Sequence, residues 1–501
     1  MSKNIKKKHV QHKTRHGQVA GQSTNPSSEN KEFDMSNFST DARVNQLNEE
    51  VPQLPLEARV SEELGLDACH WLDRYVDFSR IWSPESFDGY HEACGLFILS
   101  TVAARRVVFD LGGVRATNLY ILLVGRTSIY AKSTAAEIGI DLLRATGLDW
   151  LLAPDEITPQ KLVENMSSNV LPDNFDDLDD FERQKAIHRI STAGQRGWFV
   201  DEFGGIVSAM MKSDGVMSGI KGLVRTLDGA PQKYDSSTIT RGQDLILNPY
   251  LTIMGNITIA DLAPYSKKGT TLWGDGFNSR FATITPHSDH LNFGRFPNQE
   301  RVFPESLITP IVNWNKKLGF PESQIIKSKE RNILKFEPLM PKHLKIRREV
   351  FEAYYNYHDA LRMLIWKSKN QDLDGNYARL PEKALRIAAL FASISDFDSI
   401  ELNHWAKAQA IAEGWRVGLH ELYRQVNVIN KDQPTKFIKD LPIEDQVMRA
   451  VGKMKMPDMR KISQFTGHQK DIVEPALTKL VSENKILPIK DNGRSRFMLP
   501  K

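Results

Sequence analysis

Cysteine is nearly absent: Cys69 and Cys94 are the only two in 501 residues. That excludes a disulfide framework and a four-cysteine zinc site. No apolar run approaches the length of about eighteen residues that a membrane helix needs, and the N-terminus has no apolar core of a secretory signal. No strong excess of one charge exists either. The net charge is only +4, so any affinity for nucleic acid must come from local patches rather than bulk charge. These absences predict a soluble cytoplasmic protein without a membrane partner. Its length suits two or three domains with a full-sized core.

Among what is present, one stretch carries most chemistry: Asn118-Leu-Tyr-Ile-Leu-Leu-Val-Gly125, then Arg126 to Ala131, then Lys132-Ser133-Thr134. It reads as a buried strand, a turn and a helix opening, the order of parts in a phosphate-binding loop. In such a loop, backbone N–H groups and a helix N-terminus wrap phosphates. The Lys places a charge on the β- and γ-phosphates, and the next hydroxyl ligates Mg²⁺. Gly125, Ala131, Lys132, Ser133 and Thr134 are the candidate nucleotide-binding residues. The loop is one residue longer than the standard pattern, and Ala131 stands at its second Gly position. A plain strand-to-helix turn is the bland alternative.

Three further pieces follow in order. Trp198-Phe-Val200 is a short apolar strand ending in Asp201 and Glu202. An Asp there can hold Mg²⁺ together with Ser133, and the Glu can polarise the attacking water. Tyr250 to Met254 form another buried strand ending at Gly255-Asn256, where an amide can orient that water. Gly274-Asp-Gly276-Phe-Asn-Ser-Arg280-Phe281 puts an Arg on a Gly-rich turn, suited to reach the γ-phosphate of a neighbouring subunit. Glu202, Asn256 and Arg280 are therefore the candidate catalytic residues. Each piece alone also reads as a strand end, a turn cap or a surface ion pair. Their order favours an ATP-hydrolysing core.

On these motifs, together with Ala103-Ala-Arg-Arg106-Val and Tyr377-Ala-Arg379-Leu-Pro-Glu382, residues 83–425 resemble the helicase-type ATPase of primase–helicase proteins carried by phages, plasmids and integrated elements. That family is similar to RecA-like and superfamily 3 helicase motors. The resemblance implies an α/β fold with a RecA-like or AAA+-type P-loop NTPase core, ATP and Mg²⁺ as cofactors, and a hexamer-like homo-oligomeric ring. It also implies DNA as partner and a separate primase or replication initiator, in the replication of a mobile element. The rival readings are a nucleotide-switched DNA loader or regulator that unwinds nothing, and a P-loop scaffold that hydrolyses nothing.

The flanks complete the plan. Residues 1–52 are a polar arm carrying Lys3, Lys6, Lys7, Lys8, Lys13 and Arg15, with too few apolar residues to fold. Residues 53–116 read as helical, 117–300 as the ATPase core and 301–430 as a helical lid, with helices at 306–317, 342–368, 380–395 and 402–426. Arg379 opens one of them, either as a contact to nucleotide or as half of an ion pair. Between the motor motifs, Asn174 to Glu182 is acidic and reads as a surface loop or helix start. Pro231 to Gly242 reads as a hairpin, either an ordinary exposed one, which the charge count favours, or one whose Lys233, Tyr234 and Arg241 suit single-stranded DNA in a channel. Residues 431–442 are a linker. Residues 443–501 read as three helices and an Asn492-Gly493 hairpin, the order of a C-terminal winged helix. There Lys470, Arg494 and Arg496 suit DNA contact, duplex DNA included, with protein docking as the alternative.

Overall fold

The computed structural model describes residues 51–211, 218–238, 242–266, 273, 276–327, 331–368, 371–432, 443–454, 456–491 and 494–500. The N-terminal basic residues, Arg241, Gly274, Asp275 and positions 433–442 lie outside the described residues. The chain is mixed α/β with parallel sheets.

Helices α1 (His70–Trp82) and α2 (Asp88–Ala103) come first. In α1, Trp71, Leu72 and Tyr75 are buried, and Val76 and Phe78 are half-buried. α2 is buried almost all round from Tyr90 onward, which marks it as a core helix rather than a surface one. Its Gly95 is required by close approach, because a Cβ there would collide with Leu72 and Tyr75 of α1.

The chain continues through β1 (Val107–Asp110), β2 (Val114–Ala116), β3 (Tyr120–Val124), α3 (Lys132–Ala145), α4 (Pro159–Ser167) and α5 (Asp180–Ser191). Then come β4 (Gln195–Val200), α6 (Phe203–Met210), α7 (Ser218–Asp228), β5 (Lys233–Thr238), β6 (Gly242–Leu247), β7 (Tyr250–Ile257), α8 (Ile259–Leu262) and β8 (Phe281–Ile284). The acidic stretch does start a helix: Asp179 caps α5 by accepting from the Glu182 N–H at 2.9 Å.

Four of these strands form the central sheet in the order β4-β7-β3-β8, every pairing parallel. β3 and β7 are buried along their whole length, as parallel strands covered on both faces must be. Alternation assigns the faces. Tyr250 and Thr252 bond to Ser100 of α2, while Gly255 lies against Phe203 of α6, where a Cβ would sit 2.7 Å from the ring. Helices therefore cover the two sides, and the C-terminal ends of β3, β4 and β7 share one edge.

The second half contains α9 (Glu305–Leu318), the hairpin β9 (Ser323–Ile326) and β10 (Ile333–Phe336), β11 (Lys342–Ile346), α10 (Arg348–Lys367), α11 (Asp374–Ile394), β12 (Ser399–Ile400) and α12 (Leu402–Asp432). The single helix expected at 342–368 is a strand followed by a helix. Lys342 to Ile346 pair in parallel with β1 and β12. The segment places Leu344 in the core, a period-2 signal too short to compete with the helical pattern behind it. α11 begins at Asp374, ahead of the expected start, and runs through Pro381.

The C-terminal segment has its own core of Val447, Ala450, Ile462, Val473, Leu477, Leu480 and Ile486. It comprises α13 (Ile443–Lys453), α14 (Met459–Thr466), α15 (Lys470–Ser482) and the antiparallel pair β13 (Leu487–Asp491) and β14 (Arg494–Met498). Asp458 bridges Arg496 as a further antiparallel contact, and Gly467 ends α14 in the left-handed region at φ 72°. Among the described residues no helix is long and apolar enough to cross a membrane.

Candidate functional site

The candidate site lies at the C-terminal edge of the central sheet, where loops leave β3, β4 and β7. Gly125 follows β3, its N–H bonded to the Ile257 carbonyl at 3.2 Å. A Cβ there would come within 2.6 Å of the Tyr90 hydroxyl and 2.8 Å of the Tyr130 ring. Tyr90 itself donates to the Val124 carbonyl at 2.7 Å. The loop closes at Ala131, which holds φ 41° and ψ 42° as the residue before α3. The left-handed conformation a Gly would adopt freely is kept here by an alanine. The Ser86 hydroxyl braces it by donating to the Ala131 carbonyl at 2.9 Å.

Lys132 is the first residue of α3 and is buried. Its Nζ donates back to the carbonyls of Gly125 at 2.9 Å and Arg126 at 3.2 Å, so the loop curls around the amine. Burial lowers its pKa below the ordinary amine range, opposed by the charges of Asp201 and Asp261. Asp261 is fixed beside it by a reciprocal cap with Thr258 at the start of α8. Thr134 sits half-buried in the same first turn.

Ser133, Asp201 and Asn256 converge from three separate elements. The Ser133 hydroxyl donates to Asp201 Oδ1 at 2.7 Å and Asn256 Nδ2 donates to the same oxygen at 2.6 Å. Asn256 is buried, and its Oδ1 has no hydrogen-bond partner among the described residues. Glu202 is exposed at the start of α6, one residue beyond Asp201. No three His, Cys, Asp or Glu of the described residues form a metal cage. Ser133 and Asp201 offer a partial oxygen shell, the kind Mg²⁺ accepts when phosphate oxygens and water complete it. Asn256 Oδ1 is an acceptor suited to a water held there.

Arg280 is elsewhere. It immediately precedes β8, whose first residue pairs with Tyr120 at the start of β3. It therefore lies at the opposite edge of the sheet, about 13 Å away along β3 at about 3.3 Å per residue. There it pairs with Asp228 at the end of α7, Nε to Oδ2 3.2 Å, and donates to the Gly276 carbonyl. Arg379 and Arg386 of α11 share that carboxylate at 2.9 and 3.1 Å. Nearby Lys383 donates to the carbonyls of Ser279 and Phe281 at 3.1 and 2.7 Å.

The expected DNA-facing residues fall on two other places. Lys233 is exposed and Tyr234 half-buried at the root of the β5–β6 hairpin, which is longer than the one expected at 231–242, because that stretch supplies only β5 and the pairing strand runs from Gly242 to Leu247. Arg241 lies outside the described residues. In the C-terminal segment Lys470 is exposed at the start of α15, Arg494 opens β14, and Arg496 is half-buried opposite Ile489.

The chain matches no known protein family and no curated protein. What the motifs missed is the support around the site, Tyr90, Ser86 and Asp261, and Asp228 at the opposite edge. Only Asp261 had a sequence signal, the Thr258-x-x-Asp261 spacing of a capping box. Tyr90, Ser86 and Asp228 act through contacts distant in sequence.

Proposed function

We propose that this chain is an ATP hydrolase coupled to DNA, working as a ring-forming helicase or translocase of a mobile genetic element. The observation that carries the reading is the meeting of Ser133, Asp201 and Asn256 on one oxygen beside Lys132, at the C-terminal edge of parallel strands. Ligands of open α/β sheets sit at that edge. The arrangement fits a RecA-like or AAA+-type P-loop core. β7 separates the acid strand from the lysine strand by two strand spacings, about 10 Å, which leaves room for phosphates and a cation.

In this reading the α3 N-terminus and Lys132 bind the β- and γ-phosphates. Ser133 and Asp201 hold Mg²⁺, which when bound offsets charge on the phosphate oxygens. Glu202, exposed and uncommitted to a cap, polarises the attacking water, and Asn256 Oδ1 orients it. Arg280 serves a neighbour's site, because its own lies across the sheet. The C-terminal segment fits a winged helix, since three helices are followed by a hairpin that also pairs with Asp458. It holds twelve Lys and Arg against seven Asp and Glu over residues 443–501, whereas the whole chain carries only +4. That local excess supports a role in contacting DNA backbone.

The test is ATP turnover with and without single-stranded DNA, for the wild type and for Lys132→Ala and Glu202→Gln. Both variants should lose DNA-stimulated hydrolysis; normal turnover in either removes the assignment. Strand displacement on a forked duplex then separates a helicase from a loader that hydrolyses ATP and unwinds nothing.

A further inference from the structure

We propose that the exposed aromatic stripe of α10 is a stacking platform for single-stranded nucleic acid. The inference goes beyond the hydrolase reading and does not depend on it, since α10 carries none of the residues placed at the Lys132 edge.

The helix is held rigidly by its inner face. Val350, Tyr354, Tyr357 and Leu361 are buried there. The Tyr357 hydroxyl donates to Glu413 of α12 at 2.8 Å, and the Tyr354 ring meets Trp405 edge-on at 6.0 Å. That face supplies the helix's share of the core, yet three more rings point the other way. Phe351, Tyr355 and Trp366 are 44%, 42% and 80% exposed. At 100° per residue they fall within about 60° of one another, and Arg362 lies inside the same arc. Phe351 and Tyr355 sit edge to face, 4.8 Å between ring centres, and Trp366 stands about 22 Å further along the axis than Phe351. The stripe is therefore long enough to follow several nucleotides.

Charge identifies the occupant. Over residues 345–369 the sequence holds six Lys and Arg against three Asp and Glu. Two of those acids already face a partner on the same helix, Glu352 at 2.9 Å from Arg348 and Asp359 at 2.9 Å from His358. Arg362 and Lys367 are exposed, and among the described residues they make no ion pair. Flat rings with cations between them, set along one line, complement a chain whose bases offer π-faces and whose backbone carries a negative charge at every nucleotide. Arg362 serves the backbone between the Tyr355 and Trp366 rings. A duplex keeps its base faces stacked inside, so the platform selects single strands, and stacking makes it tolerant of sequence.

The experiment measures binding of the full chain to labelled oligo(dT) and oligo(rU) by fluorescence anisotropy across a salt series. Trp366→Ala and Phe351→Ala should each weaken binding about tenfold, the scale of losing one stacked base. Trp366→Phe should keep most of the affinity and Trp366→Leu should not, because only a ring offers a flat face. Arg362→Ala should lower the slope of log affinity against log salt by about 0.7. Weakening on either oligonucleotide upholds the proposal and names the sugar it takes. Wild-type affinity for both in Trp366→Ala and Phe351→Ala would overturn it. So would equal affinities for Trp366→Leu and Trp366→Phe, which would mark the stripe as an apolar docking surface for protein. A Trp366→Ala chain that loses self-association but binds both oligonucleotides normally would assign the stripe to a second copy, and would overturn it as well. Absence of ATP turnover in the wild type would be a different failure, that of the hydrolase reading alone, and leaves these affinities as they are.

Discussion

The Ser133 hydroxyl donates to Asp201 Oδ1 at 2.7 Å across 68 residues of chain. Two motifs read independently, one after β3 and one after β4, thus meet at a single atom, and under the proposed hydrolase reading these are the two side chains that would hold Mg²⁺. Removing the hydroxyl leaves the carboxylate in place but halves the protein's oxygen shell. Ser133→Ala should therefore raise the Mg²⁺ concentration needed for half-maximal ATP turnover by about tenfold or more. A Mg²⁺ titration of hydrolysis reads this directly. An unshifted midpoint would take Ser133 out of the metal shell.

Ala131 gives a prediction of opposite sign. A left-handed alanine costs about 1–2 kcal/mol, part of which glycine returns through the greater freedom of its unfolded chain. Ala131→Gly should stabilise the fold by about 0.5–1 kcal/mol, and Ala131→Val should destabilise it. Denaturant unfolding measures both. A less stable glycine variant would show that Ser86 and Tyr130 hold the loop without strain.

Lys383 predicts a pH dependence. Burial pushes its amine down to about 7, against about 10.4 in an unfolded chain. Between those values the unfolded chain carries a proton that the folded one does not, so stability rises with pH across that window. Below about 7 both forms are charged and the folded state bears the full burial cost. Lys383→Met should flatten the rise between pH 7 and 10 in unfolding midpoints. An identical slope in the variant would mean the amine stays protonated on its two carbonyl acceptors.

The C-terminal segment predicts a salt effect. If Lys470 and Arg496 each neutralise a phosphate, replacing either with Ala should reduce the slope of log affinity against log salt by about 0.7–0.9. Binding of single-stranded and duplex DNA across a salt series checks this. An unchanged slope assigns the segment to protein docking.

The candidate edge was legible because the parallel strands are short apolar runs, and the polar residues at their ends stand out against them. Val200-Asp201 and Gly255-Asn256 announce themselves in that way. The partners of Arg280 were not legible. Asp228 ends a helix in an ordinary Leu-Asp-Gly sequence, and only the fold brings it to Arg379 and Arg386, over 150 residues away. β11 was hidden for a related reason, since its pairing with β1 and β12 is made from distant segments and its own five residues sit against a strongly periodic helix.

Arg105 has one nitrogen on the carbonyls of both Pro231 and Pro249, the two ends of the β5–β6 ribbon. A ribbon fastened at both feet cannot swing loosely from the body. Its second foot leads directly into β7, the strand that carries Asn256 near its far end.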